Sequence, residues 1–206
     1  VAAAVEADDK QATGKVVFFD AQGTFLNSVD AGALPDMLCF TPDGNKVIVA
    51  NEGEPNDEYT NDPEGSITIV DISNGVAMAT VTHASFTAFN DKVDALKESG
   101  VRIFGPNATV AQDVEPEYIA VSDDGTRAYV CLQENNAIAV VDLTAAAVTG
   151  IFPMGTKDHS VAGNGIDASN KDDMINITTW PTRGLYMPDA IAGFSKNGQN
   201  YLVTAN

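Results

Sequence analysis

The side chains best equipped for chemistry in this sequence are carboxylates, and they recur at related positions. Asp36, Glu117 and Asp189 each follow a proline, while Glu52 and Glu54 stand in Asn51-Glu52-Gly53-Glu54-Pro55 and Glu134 in Gln133-Glu134-Asn135. A mixture of Asp, Glu and Asn oxygens suits a hard cation such as Ca2+, which takes about six to eight oxygen ligands. Zinc more often uses His and Cys, and the sequence holds only 2 of each. A further acid, Asp158, adjoins His159 in Lys157-Asp158-His159-Ser160, where the imidazole is a candidate acid, base or ligand. The candidate metal ligands are therefore Asp36, Glu52, Glu54, Glu117, Glu134, Asp158 and Asp189, with His159 as the candidate catalytic group.

Several chemistries lack their motifs. No Gly-x-Ser-x-Gly presents a serine nucleophile, and no glycine-rich loop is patterned to cradle phosphate. The stretch Asp167-Ala168-Ser169-Asn170-Lys171-Asp172-Asp173 begins like a calcium loop but has lysine fifth and no glycine sixth. With 29 acidic against 11 basic residues, the formal charge of −18 repels nucleic-acid phosphates and anionic lipid. No apolar run is long enough to span a bilayer, and Val1 to Lys10 lacks the order of an export signal. That leaves a cytosolic protein or one whose signal precedes this numbering. Cys39 and Cys131 lie inside apolar runs and read as buried thiols.

The elements that must position these acids form a repeat. Pro35 to Phe40, Asp43-Gly44 and Val47 to Glu52 match Pro116 to Val121, Asp124-Gly125 and Ala128 to Glu134, and match again Pro188 to Phe194, Asn197-Gly198 and Tyr201 to Asn206. Each copy reads as two β-strands, A and B, joined by a turn whose glycine takes positive φ. Strands C follow at Ser66 to Asp71 and Ala137 to Asp142, and strands D at Val76 to Val81 and Val148 to Phe152. An N-terminal C and D pair spans Lys15 to Asp20 and Thr24 to Ser28. The expected fold is an all-β propeller of four-stranded antiparallel blades. It divides into a half blade at 15–28, a blade at 35–82, an insertion with a short helix at 83–113, a blade at 114–153, a loop insertion at 154–187 and a half blade at 188–206.

Twelve strands make about three blades, fewer than the four to eight that close a ring, so the chain is expected to be an incomplete ring. The remaining blades are expected from the full-length protein or another chain. Within 83–113, Asn90 is the expected helix cap, Val93 and Leu96 share a face and Gly100 ends the turn. In a meander the loops leading into strand A and those between B and C emerge at one end. That end collects most of the acids, including Glu115, whereas Asp43 and Asp124 belong to turns at the other. Two readings stand for the acidic end: a solvated rim, and a cation site that offsets like-charge repulsion.

At these motifs the sequence resembles the bacterial choice-of-anchor I proteins, on Pro35-Asp36-Met37, Val49 to Pro55, Asp62 to Ile67, Glu115 to Val121, Leu132 to Ile138, Lys157 to Ser160 and Pro188 to Ala192. Secreted members are labelled alkaline-phosphatase-like and resemble an animal mesenchyme-specific cell-surface glycoprotein. The resemblance implies a propeller of the periplasm, cell surface or exterior, with metal-dependent phosphoester hydrolysis as one activity, since carboxylate-held ions polarise phosphate and activate water. A non-catalytic adhesion or ligand-binding propeller, meeting a cell-surface ligand, is the alternative.

Overall fold

Antiparallel pairing in sequence order builds the chain, and a computed structural model describes residues 1–206. Ala2–Val5 (β1) pairs with Thr13–Phe19 (β2), and β2 with Phe25–Ala33 (β3). Every second residue of β2, namely Gly14, Val16 and Phe18, is buried, as expected of a strand with one face on a core.

Pro35–Phe40 (β4), Lys46–Asn51 (β5), Ser66–Asp71 (β6) and Thr80–Ser85 (β7) make a four-stranded meander. The interior strands of this sheet are apolar on both faces because sheets lie against both. Val47 and Val49 of β5 pack with Val16 and Phe18 of the first sheet. Ile48 and Ala50 face the other way, into a cluster of 23 buried residues that includes Ile119, Val130 and Leu132.

The segment after β7 has a 3-10 stretch, Thr87–Lys92, then helix Val93–Ser99 (α1) and a short helix Val110–Asp113 (α2). Leu96 is buried and Val93 packs beside it, as the helical spacing predicts, and Gly100 ends α1 at φ 107°. Asn90 does not cap α1. It sits within the 3-10 stretch and its Oδ1 accepts the N–H of Ala111 at 2.9 Å, a partner 21 residues away that local spacing could not disclose. Thr109 caps α2, in a reciprocal pair with Gln112.

Pro116–Val121 (β8), Arg127–Leu132 (β9), Ala137–Asp142 (β10) and Ala147–Pro153 (β11) form the second four-stranded meander. Thr156–Asp158 (β12) and Arg183–Leu185 (β13) pair within the long loop, and Ala190–Lys196 (β14) with Gln199–Ala205 (β15) closes the chain. The first strands of successive repeats stand side by side, β4 against β8 and β8 against β14. The array is all-β and propeller-like, and its sheets do not close into a ring.

The strand inventory departs from the twelve expected at three places. β1 adds a strand to the N-terminal pair, and β12 with β13 puts a small ladder into what reads as pure loop. The strand expected over Val76 to Val81 begins only at Thr80, because Gly75 turns at φ 88° into a 3-10 turn, Val76–Met78. The Asn27 amide holds that turn by donating to the Val76 carbonyl at 2.8 Å.

Candidate functional site at the acidic end

The loops leading into the innermost strands carry the first acids. In both complete sheets the pairing slips just after the proline, between Pro35 and Leu38 and between Pro116 and Ile119. Such a bulge re-aims side chains, and Asp36 and Glu117 lie within it. Asp189 holds the matching position before β14, its N–H donating to Ala205 O at 2.9 Å. One carboxylate per repeat therefore stands at the same end of three neighbouring strands.

The loops between the second and third strands bring the others. Asn51, wholly buried, accepts the Gly32 N–H at 2.9 Å and donates to Ser66 and Thr68. Beyond it, the Glu52 N–H donates to Leu34 O at 2.9 Å, which pins Glu52 beside the start of β4. Gly53 then turns at φ 69°, where a Cβ would lie 2.6 Å from the Glu64 backbone, so no other residue fits between Glu52 and Glu54. In the second sheet the crossing is a tight turn, Gln133 to Asn136, closed by Asn136 N–H to Gln133 O at 2.9 Å, and it carries Glu134.

Glu52, Glu115, Glu117 and Glu134 are half-buried, with Asp36, Glu54 and Asp189 exposed around them. Burial is the main cause that lifts Glu52 to about 7, with Asp36, Glu54 and Glu134 adding repulsion. Burial likewise lifts Glu115 to about 8, reinforced by Glu134, Glu54 and Glu52. Glu117 is pushed far above the carboxylate range, first by burial, then by the charge of Glu134, with Glu52 and Asp36 adding repulsion. With its amide nitrogen turned toward Glu117, Gln133 donates to both carboxylate oxygens at 3.2 and 3.3 Å. Asp36, exposed overall but partly desolvated by its neighbours, is raised by that desolvation and then by Asp189. Beneath the group, Cys131 is a free thiol raised to about 12 by burial and by Glu117 and Asp189. Cys39, also free, is raised to about 11 by burial.

The structure thus gathers six of the seven candidate ligands into one electrostatic group and adds Glu115. It leaves Asp158 and His159 in their own loop. Asp158 pairs with Arg183 at 3.0 Å and accepts from Ser160, and its carboxyl is lowered by those contacts. His159 is buried, its Nδ1 is 2.7 Å from Asn164 O, and its backbone joins Thr182 and Trp180. That imidazole organises the loop. Glu115 escaped the ligand set because its counterparts before the other two prolines are Leu34 and Met187, both apolar.

The donor set is all oxygen, and Glu134 Oε2 is buried without a hydrogen-bond partner. Both features fit a hard cation, which would supply the missing partner. No three His, Cys, Asp or Glu side chains are already closed into a metal cage. Coordination therefore requires side-chain rotation from loops whose backbone is fixed.

No curated protein matches the chain in sequence. Among solved structures, hydrazine synthase of Kuenenia stuttgartiensis superposes with TM-score 0.52 at 12% identity, over 99% of this chain and 55% of that one. The periplasmic gluconolactonase PpgL of Pseudomonas aeruginosa gives 0.49 at 13%, over 98% and 46%, and dihydro-heme d1 dehydrogenase NirN 0.49 at 14%, over 98% and 29%. The chain thus spans 29–55% of the length of these structures, and the likeness to hydrazine synthase, at 12% identity, speaks to the fold alone. The model of the choice-of-anchor I domain matches residues 1–206, so the repeats, the paired acids and the full-length match place the chain in the choice-of-anchor I domain family.

Proposed function

We propose that this chain is part of a cell-envelope or secreted propeller whose acidic end binds a hard divalent cation, calcium by its donor chemistry, in the service of phosphoester hydrolysis. The carrying observation is the half-buried group of Glu52, Glu115, Glu117 and Glu134, in which burial and mutual repulsion raise three carboxyls and Glu134 Oε2 has no partner. Like charges so placed stay ionised only if something positive offsets them. Glu52, Glu117 and Glu134 would hold the ion, with Asp36, Glu54, Glu115 and Asp189 completing its surroundings. Once bound, such a cation supplies Lewis-acid polarisation of a phosphate oxygen. Of the chain's own groups, Glu117 is set to hold a proton at neutral pH and release it when a cation arrives. The family's name, which refers to a choice of anchor, supports the envelope placement, and no helix here is long and apolar enough to cross a membrane.

One observation favours the second reading, a non-catalytic ligand-binding propeller: His159 is buried in its own loop, with Nδ1 held by Asn164 O, and is not part of the acidic group. Hydrolysis of p-nitrophenyl phosphate with and without millimolar Ca2+ separates the two. Calcium-dependent turnover that falls at least tenfold in Glu117→Gln supports the enzyme. Calcium binding without turnover supports the ligand-binding reading, and the absence of both removes the cation site.

A further inference from the structure

Glu115 and Glu134 come from different loops, and one side chain ties those loops together. Asn135 is wholly buried between them. Its Oδ1 accepts the backbone N–H of Glu115 at 3.2 Å, while its Nδ2 lies 3.0 Å from Arg102 O, 2.8 Å from Asp113 O and 3.1 Å from Asp113 Oδ2. Its own carbonyl accepts from Arg102 N–H at 2.8 Å, and the Arg102 guanidinium reaches Glu134 O at 2.9 Å. Asp113, itself only 4% exposed, is fixed by the N–H groups of Phe104 and Gly105 as well. A short amide that donates toward a buried carboxylate and accepts from a main-chain N–H does what no other side chain of this length can do. Aspartate would set two carboxylates together, and leucine would strand four polar groups.

We infer that Asn135 is a positioning residue, which holds Glu115 and Glu134 at the separation the acidic end needs, with Asp113 as its anchor. The link to function rests on the cation reading above; the link to geometry does not. The neighbouring residue supplies a control. Asn136 is equally buried, and it accepts from Met187 N–H at 2.9 Å and donates to Gly155 O at 2.8 Å, tying down the 155–187 loop instead. Both asparagines support structure, but only Asn135 touches the loop of Glu115.

The test compares Asn135→Ser with Asn136→Ser by calorimetric titration with CaCl2, at a temperature where both are folded, alongside amide exchange at Glu115. Asn135→Ser is expected to weaken calcium binding about tenfold, the usual cost of losing a group that orients a ligand, and to speed exchange of the Glu115 amide. Asn136→Ser is expected to lower Tm while leaving calcium affinity within about twofold. Equal affinities in the two variants, or equal losses, would overturn the inference. Should Asn135→Ser not fold, exchange of the wild-type Glu115 amide decides: protection supports the bond and exchange at the rate of an exposed loop refutes it. A wild type that binds no calcium but protects Glu115 sinks the cation reading and leaves the positioning role standing.

Discussion

The two ends of the blades use the same residue type in opposite ways. At the turn end, Asp43 accepts from the Thr41 hydroxyl and from Asn45, and Asp124 from Ser122 and Thr126, so exposed carboxylates are satisfied by their own turns. Those bonds lower Asp43 and bring Asp124 down to about 2. At the loop end, Glu52, Glu115 and Glu117 are raised, because they are half-buried among other carboxylates with few donors in reach. Acid content alone therefore says little. An aspartate next to glycine is turn chemistry, and an acid at the start of an innermost strand is stored repulsion.

The contrast is sharpest against pH. In calcium-free buffer the raised carboxyls bind protons in the folded chain at pH values where the unfolded chain, near 4.5, has released them. That stability is complete below about 4.5 and is lost as pH rises through about 7 for Glu52 and about 8 for Glu115. Thermal unfolding should accordingly show Tm falling by several degrees between pH 5 and pH 9, the largest effect expected. A flat profile would mean that the loop end is merely solvated.

Next in size is Glu117→Gln, which removes a carboxyl that the folded chain must keep protonated at pH 8 while the unfolded chain releases its proton. Denaturant unfolding at pH 8 without calcium should give a gain of about 1 kcal/mol, a figure discounted because the group is half exposed. The gain should vanish at pH 5. A loss at pH 8 would mean that Glu117 is already paired with something positive.

Gly44→Ala probes the turn end. Gly44 has φ 71° and open space where a Cβ would go, so the cost is backbone strain alone, about 1 kcal/mol. That loss should be the same at pH 5 and pH 8 and with or without calcium. The smallest effect is Asp124→Asn. The stability from Asp124 is present above the unfolded value of 3.8 and lost as pH falls toward about 2, so the variant should flatten only the acid limb of the Tm profile.

Local patterning carried most of the fold. Val47 to Asn51 and Ala137 to Asp142 are apolar runs bounded by turn residues, and the Asp-Gly pairs mark their hairpins, so the meander is visible in the chain itself. Ala2–Val5 is different: an alanine run has little strand propensity, and its pairing with β2 supplies the reason for its conformation. The same holds for β7, displaced toward Ser85 by a bond from Asn27, 49 residues distant.

The acidic end was legible only where the repeat marks it. Asp36, Glu117 and Asp189 share a position after proline, whereas Glu115 has no acidic counterpart and Asn135 acts through contacts 20 to 33 residues away. His159 shows the converse. Beside Asp158 in sequence it looks reactive, yet burial and the Asn164 carbonyl give it a structural partner.

The central claim, that the loop end holds a cation, is tested most directly by calorimetric titration of calcium-free protein with CaCl2 at pH 8, beside the double variant Glu117→Gln/Glu134→Gln. Saturable binding by the wild type, with proton release and a raised Tm, is predicted, and at least a tenfold loss of affinity in the variant. No saturable heat in the wild type, or the same affinity in both, would contradict it.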